Sequence, residues 1–142
     1  ASHFAPQHLS EAAATYRRDF QPSQYLERPY FMMACNIVAA DIEEEAKFQF
    51  TTIQQAFIGM ATNQRGPIQP PVRGLDIPAR LTAHLAAMLR CSAVGTPEQV
   101  AEKLAGFERE FTPDEFIFSM PFYGQEERER SMELVMGASK PD

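Results

Sequence analysis

The sequence predicts an α/β fold built on a parallel sheet. Three observations carry that expectation. The runs at 29–38 and 115–120 are apolar on both faces, as in strands covered from both sides. Stretches with apolar residues at helical spacing separate the strand candidates. Strand and helix candidates alternate along the chain, the order that parallel strands joined by helical crossovers require.

Each element has a local reason. Ala1-Ser2-His3-Phe4 reads as the end of a strand, so the chain is expected to be a piece of something longer. Pro6 suits the first turn of a helix, where its missing N–H costs nothing. Leu9, Ala13, Tyr16 and Phe20 follow helical spacing, and Pro22 stops the helix. The strand at 29–38 comes next. Asp41 stands as an N-cap with Glu44 three residues on, a capping-box arrangement. Ala46, Phe50, Ile53, Phe57 and Met60 form the buried stripe of the helix that follows.

Residues 61–78 break the pattern. Gly66, Pro67, Pro70, Pro71, Gly74 and Pro78 deny them regular hydrogen bonding, and a mobile loop is expected. A helix resumes near Ala79 with Leu81, Leu85 and Met88 on one face, and residues 92–95 are a short extended piece. Thr96 caps the next helix, Pro97 fills its first position, and Val100, Leu104, Phe107 and Phe111 line its buried side. After the strand at 115–120 comes a charged helix with Met132 and Val135 expected to face inward. The strands near 30–38 and 114–120 are expected to be parallel neighbours or near neighbours.

Composition narrows the function. The chain has 142 residues, 44% hydrophobic and 23% charged, enough to bury one core. A net charge of −6 argues against nucleic acid and against an anionic membrane surface as partners. No run reaches the roughly 18 apolar residues of a membrane span, and no signal-peptide pattern is visible. Cys35 and Cys91, distant in sequence and in apolar company, are expected to be buried reduced thiols, which suits the cytoplasm.

Several chemistries lack their motif. There is no glycine-rich nucleotide fingerprint, and His3, His8 and His84 have no metal-ligand spacing. The acidic run Asp41, Glu43, Glu44 and Glu45 reads as a solvated helix start, favoured by the helix dipole. Val94-Gly95-Thr96-Pro97 is either an anion site or an ordinary N-cap, and residues 126–130 read as an exposed helix face. His3 sits at the C-terminal end of a strand, the side on which parallel barrels place their active sites.

These segments, in this order, resemble the bacterial luciferase-like, flavin-dependent monooxygenases. Residues 1–6 and 16–23 are similar to the family's sixth strand and helix, and residues 29–46 to the seventh. Val94-Gly95-Thr96-Pro97 resembles the segment ahead of the last strand, residues 114–118 the eighth strand, and 128–134 the closing helix. The resemblance implies the C-terminal portion of a TIM (β/α)₈ barrel. A whole barrel takes about 250 residues, and this chain has room for about three strands with their helices.

The resemblance also implies chemistry: reduced FMN, supplied by a reductase, and O₂ as co-substrate, together oxidising a small organic molecule such as an aldehyde, alkane or sulfonate. Ser2, His3 and Phe4 match the segment beside the flavin and are the implied cofactor-binding residues. Met120, Pro121, Phe122 and Tyr123 border the same mouth and are the implied substrate pocket. No catalytic residue and no metal is assigned. Alone, the chain is expected to be inactive, because most of the pocket wall lies on earlier strands. It is expected to form a homo-oligomer or to associate with the N-terminal half of a barrel. The alternatives are a non-catalytic flavin- or ligand-binding protein of the same lineage, and a structural module that completes a barrel.

Overall fold

Parallel strands cannot be joined by tight turns, so a chain that pairs them must spend residues on crossovers. The computed structural model describes residues 6–138. A short 3₁₀ turn at Pro6–His8 leads into α1 (Leu9–Asp19), then β1 (Met32–Ala39), α2 (Glu43–Ala61) and α3 (Ala79–Met88). There follow β2 (Ser92–Gly95), α4 (Pro97–Phe111), β3 (Glu115–Ser119) and α5 (Gln125–Ala138). The strand order is β2-β1-β3, and both pairs are parallel. The segments 30–38 and 114–120 are therefore parallel neighbours, as expected. The short piece at 92–95 is the third described strand, on the flank of β1 opposite β3. The strand end expected at 1–4 lies outside the described residues.

Successive strand residues point to opposite faces. On one face Met33, Cys35, Ile37 and Ala39 of β1 join Ala93 of β2 in a single buried cluster. Leu9 and Ala13 of α1, Val100, Phe107 and Phe111 of α4, and Val135 of α5 complete it. Burying the larger of these, such as Leu9, Met33, Ile37, Val100 and Phe107, stabilises the fold by about 1.5–3 kcal/mol each. On the other face α2 packs over the C-terminal half of the sheet, where Ala46 and Phe50 meet Val38, Val94 and Phe122. Among the described residues nothing covers the N-terminal half of that face, where Ile117 is 46% exposed. Farther along α2, Ile53 and Phe57 turn to Leu85 and Leu89.

Two local expectations are corrected. Asp41 does not cap α2: the helix starts at Glu43 behind an extended Ile42, with no side-chain cap. The Asp41 carboxylate instead takes a two-pronged guanidinium partner, Arg130, at 2.6 and 3.2 Å. Met132 does not face inward but is 50% exposed. The stripe of α5 that meets the core is Ser131, Leu134 and Val135, spaced three and four residues apart.

The start of α4 follows its local signals. Thr96 accepts from the Gln99 N–H, and the Gln99 side chain accepts from the Thr96 N–H at 2.9 Å, closing a capping box. Gly95 makes room for it: φ is +147°, and a Cβ there would collide with the Gln99 side chain. Gly95→Ala should therefore strain the backbone and break the cap together. A loss of about 1–3 kcal/mol in urea denaturation is expected, and a change below the error of that measurement would refute this account of the cap.

Residues 62–78 carry no regular element and are largely exposed. Contacts tie part of the segment to α2: the Val72 N–H donates to Thr51 Oγ1 at 2.9 Å, Gln55 Nε2 donates to the Pro70 carbonyl at 2.9 Å, and Arg73 lies over the Phe48 ring. Gly59 lets the Gln64 carbonyl approach, since a Cβ would sit 2.8 Å from it. Residues 65–69, between these ties, are expected to be the first part of the described chain to open. Limited trypsin digestion followed by mass analysis should cut after Arg65 first. An initial cut inside α2 or α4 would contradict this.

Candidate functional site

All three strands run the same way, so their C-terminal ends gather on one side of the sheet, the side where parallel α/β proteins bind ligands. A cleft of about 380 Å³ opens there. Its floor is apolar, made by Ala39 and Ala40 at the end of β1 and by Phe122 beyond β3. Its rim is charged: Asp41 and Glu45 from the start of α2, and Glu126, Glu127 and Arg130 from the start of α5. Four carboxylates thus stand against one guanidinium.

That guanidinium is already engaged. Arg130 holds Asp41 through Nη2 and Nε, and its Nη1 reaches Glu133 at 3.3 Å. The Arg130 hydrogen bonds hold the Asp41 carboxyl below the usual carboxylate range. Deeper in, Gln49 is buried, and its Nε2 donates to Glu45 Oε1 at 2.8 Å. Asn36, at the middle of β1, donates to Ser92 Oγ at 3.2 Å. Gln49 Oε1, Asn36 Oδ1 and Thr52 Oγ1 are buried without a hydrogen-bond partner among the described residues. Such atoms are uncommon in folded chains.

The four residues expected at a substrate pocket divide. Phe122 is buried and lines the cleft. Met120 is partly buried behind it, packing against both sheet-face clusters. Pro121 is half-buried, and Tyr123 is 56% exposed and takes no part in the lining. Ser2, His3 and Phe4 lie outside the described residues. Val94-Gly95-Thr96-Pro97 is an N-cap, with the Thr96 hydroxyl donating to Glu98 Oε2 at 2.7 Å. Among the described residues no three His, Cys, Asp or Glu side chains gather as a metal site, and no helix is long and apolar enough to cross a membrane.

The sequence reading missed Asp41, Glu45, Gln49 and Arg130 as lining residues. Asp41 and Arg130 are far apart along the chain, and nothing local marks their pairing. The Cys35 and Cys91 thiols are also closer than the sequence suggests, since β1 and β2 lie side by side.

No family profile matches the chain. A protein of Escherichia coli K12 named luciferase-like monooxygenase is 37% identical over 139 residues, which take in 96% of this chain and 41% of that protein. The chain is a relative of the luciferase-like monooxygenases. The uncharacterized protein YvbT of Bacillus subtilis is 32% identical over 95% of this chain and 41% of its own length. The crystal structure of apo-MsnO8 superimposes with a TM-score of 0.82 at 22% identity, over 96% of this chain and 42% of that one. That likeness concerns the fold, a partial α/β barrel with three parallel strands among the described residues. The chain spans about 41% of the length of the first curated relatives it matches.

The Asp41–Arg130 pair can be tested alone. A depressed carboxyl pKa contributes stability above the unfolded value, about 3.9, and that contribution fades as pH falls through the folded value. Arg130→Gln should raise the Asp41 carboxyl toward its ordinary value, read by NMR titration of the side-chain carbon. An unchanged midpoint would show that Arg130 is not the cause.

Proposed function

We propose that this chain supplies part of a flavin-dependent monooxygenase that uses reduced FMN and O₂ to oxidise a small organic substrate. The observation that carries the reading is the kinship with the luciferase-like monooxygenase of Escherichia coli. The apolar-floored cleft at the C-terminal ends of the strands supports it.

The described residues do not by themselves fit a flavin phosphate. A phosphate needs a free cation or a ring of donors, and the cleft offers four carboxylates and an arginine already held by Asp41 and Glu133. No step through flavin follows from these residues. The cofactor-binding role stays with Ser2, His3 and Phe4, together with parts of a barrel that this chain does not supply.

What the described residues do supply is the substrate side. Phe122, Ala39 and Ala40 form a dry wall, and Phe122 is fixed by packing on Val38 and Ala46. The acidic rim repels anions. A neutral aldehyde or alkane therefore suits this mouth better than a sulfonate. The open half of the sheet, with Ile117 exposed, favours further barrel strands or a second copy as its cover. The unfitted phosphate also keeps alive the second reading, a module that completes a barrel without doing chemistry.

The experiment supplies reduced FMN, O₂ and a panel of neutral and anionic substrates to the 142-residue chain and to a barrel-length protein carrying it. The short chain should show no turnover, against about 1–10³ per second for ordinary enzymes. The barrel-length protein should prefer neutral substrates, and Phe122→Ala should lower its kcat/KM by about 10–100-fold. Turnover by the short chain would show that the pocket is complete within it. A barrel-length protein that neither binds FMN nor consumes O₂ would leave the barrel-completing reading.

A further inference from the structure

Cys35 and Cys91 are the chain's two cysteines, and the sheet puts them side by side. Asn36 pairs with Ser92 across the parallel β1–β2 ladder, and the Asn36 N–H donates to the Cys91 carbonyl at 3.0 Å. One step back along both strands, Cys35 stands opposite Cys91. Matching positions of a parallel pair point to the same face, and both thiols lie in the same buried cluster, at 0% and 1% exposure. Neighbouring strands are about 4.7–4.9 Å apart, inside the roughly 4.4–6.8 Å of Cα separation that a disulfide spans.

We propose that Cys35 and Cys91 form a reversible intramolecular disulfide, closed by peroxide, that locks β2 to β1. Closing it brings the two Cβ atoms together by about 1 Å, from the strand spacing to the usual bridged distance near 3.8 Å. β2 can supply that shift. It has four residues and no neighbour on its outer flank among the described residues.

Burial decides how the bond forms. Desolvation pushes the Cys35 thiol up to about 12, and the Cys91 sulfur beside it adds to the shift. Burial raises Cys91 as well; the positive charges of Arg90 and Lys103 oppose that shift, and Glu110, paired with Arg90, adds to it. Both thiols are therefore protonated and quiet while the sheet is closed. When the four-residue β2 opens, Cys91 reaches water first, because Cys35 stays on the central strand, which is still paired with β3. Its thiolate attacks one oxygen of hydrogen peroxide, forms the sulfenic acid and releases hydroxide. The Cys35 sulfur then attacks the Cys91 sulfur, the S–S bond forms, and the sulfenic oxygen leaves as water. Two thiols and one peroxide give one disulfide and two waters, with two electrons passing from sulfur to oxygen.

The test uses the reduced chain. It is treated with hydrogen peroxide under native conditions, quenched with catalase, unfolded with N-ethylmaleimide present, and weighed. The expected product is about 2 Da lighter than the reduced chain, takes up no maleimide, and yields one peptide pair linking residues 35 and 91. Dithiothreitol should restore two maleimide additions. Urea below the unfolding transition should speed the reaction, because opening of β2 limits it. Two free thiols after treatment, sulfinic or sulfonic acid at either position, or dimers linked between chains would overturn the proposal. In a second arm, Cys35→Ala should stall at a sulfenic acid on Cys91 that dimedone traps. Cys91→Ala should trap far less at Cys35, and equal trapping would overturn the assigned order.

Discussion

A strand paired along both edges leaves little of its backbone unsatisfied, and β1 meets that condition at Asn36, which faces Ser92 on one side and Ser119 on the other. The rest of the structure hangs on that strand. At its N-terminal end the Phe31 N–H donates to Asp114 Oδ2 at 2.7 Å, and the Asp114 N–H donates to the Phe31 carbonyl at 2.9 Å. Arg17 of α1 lies over the Phe31 ring and donates to the carbonyls of Phe111 and Thr112, where α4 ends in a left-handed residue. One guanidinium thus satisfies a helix C-terminus and pins α1 to the strand. At the other end Ser131 Oγ accepts the Ala39 N–H at 2.9 Å, and Arg130 holds Asp41. These contacts tie α5 to the strand end that floors the cleft.

The second face of the sheet is built differently. The row Ser92, Asn36 and Ser119 is polar where the opposite face is wholly apolar. An amide buried with one oxygen unpaired costs about 1–3 kcal/mol against a satisfied one, a large share of the stability of one domain. Cys35 and Ile37 flank Asn36 and turn the other way. The cost is therefore confined to the face on which α2 covers the C-terminal half and nothing described covers the rest.

Local chemistry was legible in the sequence and long-range chemistry was not. Thr96, Pro97 and Gln99 specify a helix start within four residues, and the structure forms that cap. The strands at 32–39 and 115–119 announced themselves by apolar runs, and their parallel pairing followed from the helices between them. Asp41 misled because its nearest chemistry, a capping box with Glu44, lost to a guanidinium brought from α5. The N-cap position falls to Ile42, so Asp41 lies one residue too early to cap and is free to meet Arg130. Met132 misled because α5 is so charged that its phase rests on few residues, and the buried one beside it is a serine. The serine faces inward to meet a backbone N–H, a requirement that apolar patterning does not encode.

The electrostatics of the mouth bear on how labour is divided in the proposed enzyme. A flavin phosphate and a neutral organic substrate make opposite demands: one needs unpaired cations, the other a dry wall and no strong field. The described residues meet only the second demand, since Arg130 is spent on Asp41 and Glu133 while Phe122, Ala39 and Ala40 present carbon. If one barrel serves both, its cationic elements lie outside the described residues. The excess of carboxylates here then acts as a filter. It leaves neutral molecules untouched and disfavours anions at the rim by an amount that falls as ionic strength rises. That salt dependence separates the rim's contribution from the shape of the floor, because burial against Phe122 is not screened.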